Sequence, residues 1–177
     1  DGEELRKVSL TGDEKKMIED FVELIKREDP DVITGYNIDN YDIPVILRRA
    51  NVHGMRALNI GRDLSEIRSR NERFWICHGR MVADAWWNAK LEIRPKQETL
   101  DHVAKLLLGE GKGEMDPTRM DEEWASNRQK VIDYCLKDAE LGLRILEKIG
   151  SLQKAMDLAT VSKLPVDDVL NGRTSTL

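Results

Sequence analysis

Asp31-Val-Ile-Thr-Gly-Tyr-Asn-Ile-Asp-Asn-Tyr-Asp-Ile-Pro44 is the stretch on which the reading of this chain turns. It opens with a short apolar run, Val32-Ile33-Thr34, which predicts a buried strand. The chain then turns through Gly35, Asn37, Asp39 and Asn40 and reaches Asp42 just ahead of a helix that starts near Pro44. A strand that stops in a polar loop and hands over to a helix N-terminus is where α/β proteins place chemistry. A second stretch, Tyr134-Cys-Leu-Lys-Asp138, joins it in the functional reading.

Working outward, 177 residues are enough for one domain with its own core. The 40% apolar and 34% charged content suits a globular chain rather than a disordered one. No apolar run approaches the ~18 residues of a membrane span. The start, Asp-Gly-Glu-Glu, is neither a signal peptide nor an initiator Met, so the expectation is a non-secreted piece of something longer. Cys77 and Cys135 sit in different elements without metal-like spacing, so a reducing compartment is expected, with neither zinc site nor disulfide framework. A net charge of −5 argues against nucleic-acid binding by bulk electrostatics alone. Divalent ions bridging carboxylates to phosphate would restore that option.

Upstream of the key strand, Leu5 to Leu10 could form a short strand, and Thr11 with Glu14 has capping-box spacing. Met17, Ile18, Phe21, Val22 and Ile25 then share one face of a helix that ends at Asp29-Pro30. Downstream, a helix over 43–50 is followed by an aperiodic stretch, 51–72, with a strand expected at Leu58-Asn-Ile60. Arg73 to Cys77, a turn at His78-Gly79 and Arg80 to Asp84 predict a β-hairpin. Trp86 and Trp87 belong to a short helix, Thr99 to Leu108 to an amphipathic one stopped by Gly109, and 109–118 to a Gly-rich loop. Glu122 to Ile149 reads as the longest helix, apolar on two faces and so central; shorter helices are expected over 151–161 and 165–170, before a polar tail. Helices alternating with few, short strands indicate an α/β or α+β layer fold rather than a bundle.

Tyr134 and Asp138 are four apart and share a helix face. A carboxylate there can ligate an ion while the phenol orients a metal-bound water; equally, each residue can be satisfied on a helix flank. Asp42 is either the N-cap of the following helix or a metal ligand at a strand-to-helix junction. Asn37, Asp39 and Asn40 are turn formers first. Asp84 reads as structural, His53, His78 and His102 are isolated, and Trp75, Trp86 and Trp87 are core aromatics, with base stacking the alternative for one of them.

Taken together, the two stretches resemble the second and third exonuclease motifs of family-B DNA polymerases. The second motif reads roughly Tyr-Asn-x-x-Asn-(Phe/Tyr)-Asp, and Tyr36-Asn37-Ile38-Asp39-Asn40-Tyr41-Asp42 fits throughout. The third reads Tyr-x-x-x-Asp, and Tyr134-Cys-Leu-Lys-Asp138-Ala139 fits, in wording similar to the eukaryotic and archaeal replicative enzymes. The resemblance implies a 3′→5′ proofreading exonuclease of RNase H-like α/β fold, incomplete at its N-terminal strands. Residues 1–160 would be the partial exonuclease domain and 161–177 the segment leading toward the polymerase palm. Asp42 and Asp138 would be metal ligands for Mg²⁺ or Mn²⁺, two ions in the complete site. Tyr134 would position the attacking water, and Asn37, Asn40 and Tyr41 would meet the substrate. The implied partners are the single-stranded 3′ end of DNA and the remainder of the polymerase chain, with no membrane. The implied location is cytoplasmic for an archaeal protein or nuclear for a eukaryotic one.

The sequence departs from the family pattern at one place. The first exonuclease motif, an Asp-x-Glu on an early strand ahead of the second, is missing; Asp121-Glu122-Glu123 has the letters but follows the second motif. The expectation is therefore weak metal binding, little or no activity for the chain by itself, and an exposed sheet edge that invites pairing with another copy. Two alternatives stay open: another RNase H-like metal-dependent nuclease, or a non-catalytic domain that scaffolds a polymerase or binds its DNA.

Overall fold

In the computed structural model, which describes residues 5–70, 72–111 and 117–172, the Val32-Ile33-Thr34 run is a strand, β1 (Val32–Gly35). It pairs in parallel with β4 (Met81–Asp84), with Ile33 opposite Val82 and Gly35 opposite Asp84. Side chains on a strand alternate faces. Val32 and Ala83 pack into one apolar cluster, and Ile33 and Val82 into another on the opposite face. Burial on both faces is why these strands read as unbroken apolar runs. The expected α/β layering is present: helices cover both sides of a parallel pair.

The side of Ile33 and Val82 is covered by α1 (Glu14–Glu28) and α2 (Asp42–Val52), through Ile18, Val22, Ile43 and Ala50. The N-terminus of α1 is capped by Asp13, whose carboxylate accepts Lys16 N–H at 2.8 Å, not by Thr11; and 5–10 is not a strand. The other side is built from α3 (Ala85–Glu92), α4 (Leu100–Leu108) and α6 (Arg128–Ile149). Val103, Leu141 and Ile145, all without exposed surface, form its centre. Burying a side chain of that size contributes roughly 1.5–3 kcal/mol. Thr99 caps α4, and Gly109 ends it in the left-handed region.

Three further expectations are corrected by competing partners, local or distant. The single helix over Glu122 to Ile149 is two, α5 (Met120–Ser126) and α6, because Asn127 leaves helical geometry and its side chain accepts Lys130 N–H. The hairpin over 73–84 does not form as one unit. Its first arm, β3 (Phe74–Ile76), pairs antiparallel with β2 (Arg68–Arg70), while its second is β4 in the central sheet. Among the described residues a lone bridge, Cys77 to Arg80, is the ladder pairing between the arms. The buried Arg80 fastens the second arm to the centre, its guanidinium donating to the carbonyls of Ile60 (2.9 Å) and Pro30 (2.7 Å). Leu58 and Ile60 are buried, but not in a strand.

Helices α7 (Ser151–Ser162) and α8 (Val166–Asn171) close the far end, α7 running across residue 160 and α8 packing on α7 and β4. Residues 112–116 of the expected loop and the tail from 173 lie outside the described residues. Among the described residues no helix is long and apolar enough to cross a membrane. The edge of β1 away from β4 carries no strand among the described residues.

Candidate active site

Past Gly35 the chain turns sharply, and the turn is held by its own amides. Asn37 sits in the left-handed region at φ 68°, which Asn tolerates better than most residues. Its carbonyl accepts the N–H of Tyr41 at 3.0 Å, and its side-chain oxygen accepts Nδ2 of Asn40 at 2.8 Å. Both asparagine side chains are thus engaged in shaping the loop. Tyr41 is the N-cap of α2 without a side-chain cap bond and is 64% exposed. Asp42 is therefore not the cap but the first helical residue, where the helix dipole favours a negative charge. Partial desolvation nevertheless pushes its carboxyl above the usual range.

Beneath the loop lies Asp84, 1% exposed at the end of β4. Its Oδ1 accepts the N–H groups of Asn37 and Trp86, each at 2.8 Å, and its Oδ2 accepts Asp39 N–H at 3.2 Å. Burial raises its pKa, and these donors oppose the shift. Asp39 is buried beside it, its Oδ1 without a hydrogen-bond partner among the described residues, while its carbonyl accepts the indole N–H of Trp75 at 2.8 Å. Desolvation first, then the neighbouring Asp84 charge, push Asp39 up to about 7. Three amides converge on Asp84 and none on the Asp39 carboxyl, so of the two the charged form of Asp84 is the better supported. Sequence reasoning missed this pair. A carboxylate closing an apolar strand was the available signal, whereas the amides it meets are a tertiary matter.

Against this loop stands α6. A side chain on Gly142 would meet Tyr36 N at 3.2 Å, so the helix lies on the backbone at the end of β1. One helical turn earlier is Asp138, two turns earlier Tyr134, both half-buried. Asp42, Tyr134 and Asp138 line one cleft of about 1180 Å³, together with Asn37, Tyr41 and the strand β1. The structure thus brings the two stretches of the sequence reading to one place. Asn40, which is exposed, is the one named site residue not on the wall of that cleft.

A model of the DNA polymerase family B exonuclease domain matches residues 1–103. The chain belongs to that family. The family B exonuclease chain is 32% identical to the DNA polymerase delta catalytic subunit of Caenorhabditis elegans, with 89% of it and 16% of that protein covered. It is 35% identical to a DNA polymerase of Archaeoglobus fulgidus, covering 92% and 20% respectively. The structure of the family B DNA polymerase from Pyrobaculum calidifontis superposes with a TM-score of 0.77 at 28% identity, covering 94% of this chain and 22% of that one. The exonuclease chain therefore has the RNase H-like α/β fold, and it spans between 16% and 22% of the length of these relatives.

As a set of metal donors, Asp42 and Asp138 are hard carboxylate oxygens on different elements of one cleft, which suits Mg²⁺ or Mn²⁺ in kind. In number the set is short: among the described residues no three His, Cys, Asp or Glu side chains group closely enough to hold an ion.

Proposed function

We propose that this chain is the proofreading 3′→5′ exonuclease part of a DNA-directed DNA polymerase, hydrolysing the 3′-terminal phosphodiester of a single DNA strand. The observation that carries the reading is the shared cleft of Asp42, Tyr134 and Asp138. Asp42 and Asp138 would hold the divalent ions. When bound, a metal pair in such a site lowers the pKa of water and stabilises the leaving 3′ oxygen. Tyr134, a helical turn from Asp138, holds the attacking water by its phenol group. The loop amides of Asn37 and Asn40 keep Asp42 at the mouth of the cleft, and exposed Tyr41 offers an aromatic surface to the strand. The full donor set exceeds two carboxylates, so the chain by itself binds metal weakly and turns over slowly. The edge of β1 away from β4, which carries no strand among the described residues, is where another copy would pair.

Mn²⁺ titration followed by electron paramagnetic resonance tests the reading. Weak binding is expected, lost in Asp42→Asn and in Asp138→Asn; variants that bind Mn²⁺ as the wild type does overturn it. The scaffold alternative predicts that second outcome.

A further inference from the structure

Four tryptophans serve four environments. Trp75 spends its N–H on the Asp39 carbonyl and packs against the α1–α2 cluster. Trp87 is 4% exposed, with the Arg73 guanidinium 3.8 Å from its ring centre. Trp124 is exposed under Arg128, and it is not on the wall of the cleft. Trp86 alone is half-buried on the wall that also carries Asp42, Tyr134 and Asp138.

The residue is held at its ring by two side chains and at its backbone by a third. The indole N–H donates to Glu98 Oε2 at 3.1 Å. Lys90 Nζ stands 4.9 Å from the ring centre and 3.0 Å from Glu98 Oε1. The backbone N–H is fixed on Asp84 Oδ1, the atom that also takes the Asn37 amide. One carboxylate oxygen therefore sets the register between the indole and the loop leading to Asp42. A flat ring at the wall of a cleft, preorganised beside a lysine, combines the two features that bind single-stranded nucleic acid: a π-face for a base and a cation for its backbone.

We infer that Trp86 is the platform on which the 3′-terminal nucleobase of a single DNA strand stacks, with Lys90 and Glu98 fixing the ring. The assignment rests on the exonuclease reading and deepens it: Trp86 positions the end of the strand and performs no bond-breaking step. Stacking tolerates any base, as a proofreading site requires, because every base has a π-face.

The test compares two oligothymidylates in Mn²⁺, both with a phosphorothioate at the last linkage to resist hydrolysis, one ending in a base and one in an abasic nucleotide. Binding is read by fluorescence anisotropy. The wild type should bind the base-ended strand between about fivefold and a hundredfold more tightly. Trp86→Ala should bind the two alike, and Trp86→Phe should keep most of the preference. A wild type indifferent to the terminal base, or a Trp86→Ala protein that keeps the full preference, overturns the inference. Run beside these, Asp42→Asn separates the two levels. If it retains full Mn²⁺-dependent binding of the strand, the exonuclease reading fails and takes the stacking assignment with it. If Asp42→Asn loses that binding while the terminal base makes no difference to the wild type, the stacking assignment alone is wrong.

Discussion

The carboxylate of Asp84 accepts the backbone N–H of Asn37 at 2.8 Å across 47 positions of sequence. This contact ties the loop after β1 to the end of β4, its parallel neighbour. Parallel pairing alone would bring Gly35 and Asp84 side by side; the hydrogen bond then decides which way the chain leaves the sheet. The left-handed Asn37, the start of α2 and the place of Asp42 all follow from that direction.

Removing the Asp84 carboxylate should therefore cost more than an ordinary polar truncation. Asp84→Ala leaves the N–H groups of Asn37, Asp39 and Trp86 without their acceptor in a buried site. The expected loss is about 3 kcal/mol of unfolding free energy. Asp84→Asn keeps an acceptor on one side and turns an NH₂ group toward donors on the other, for a loss of about 2 kcal/mol. Urea unfolding measures both. A loss below about 0.5 kcal/mol for Asp84→Ala, in the range of an ordinary surface change, would show that Asp84 does not organise the loop.

Asp39 predicts a pH dependence of the opposite sign to most acidic groups. Its folded pKa of about 7 lies above the ordinary 3.8. The folded state thus holds a proton that the unfolded chain has released, and folding is favoured by acid. The contribution is fullest below about pH 4, declines as pH rises to about 7, and is constant above. Burial of Asp84 raises its pKa and adds in the same direction. Asp39→Asn removes the cost of ionising. The variant should match the wild type near pH 4 and exceed it by about 4 kcal/mol at pH 8. Thermal or urea unfolding across that range would show a constant difference if Asp39 ionised normally.

Much of this arrangement was legible before any coordinates. Val32-Ile33-Thr34 declared a strand, which is half-buried between the two apolar clusters, and Tyr134 with Asp138 declared a shared helix face. What escaped were choices between competing partners. Arg73 to Asp84 has hairpin wording, yet Arg80 buries its guanidinium against Pro30 and Ile60, and Met81 N–H bonds Asp31 at 2.8 Å, so the second arm joins β1. Asn127 interrupts an otherwise continuous helical pattern by bonding its own next turn. The roles of Asp84 and Trp86 depend on which amides and which cleft they meet, and neighbouring residue types do not encode that.

Gly142 tests whether the approach of α6 to β1 sets the cleft. Alanine would gain roughly 1 kcal/mol of helix propensity, but its methyl would press on the Tyr36 amide at 3.2 Å, a backbone atom that cannot step aside. Gly142→Ala should come out destabilising by about 1 kcal/mol, and Gly142→Val by about 3 kcal/mol. Because the same contact sets how α6 lies against the loop, Gly142→Val should also weaken Mn²⁺ binding. A valine variant as stable as the wild type would mean that the helix and the strand are free to separate.

Tyr134 and Asp138 share one face of α6 but are assigned different tasks, and a pair of measurements can tell them apart. If Asp138 is a ligand, Asp138→Asn removes a charged donor, and both Mn²⁺ binding and strand hydrolysis should fall. If Tyr134 only holds the water, Tyr134→Phe keeps the ring and its packing while losing one hydroxyl. Mn²⁺ affinity should then stay within about twofold of the wild type while hydrolysis slows by about a hundredfold, the penalty of a misplaced nucleophile. Electron paramagnetic resonance for the ion and a gel assay of 3′-end shortening provide the two readouts. Equal loss of metal in both variants would make the phenol part of the ion's own shell, and the division of labour along this helix would have to be redrawn.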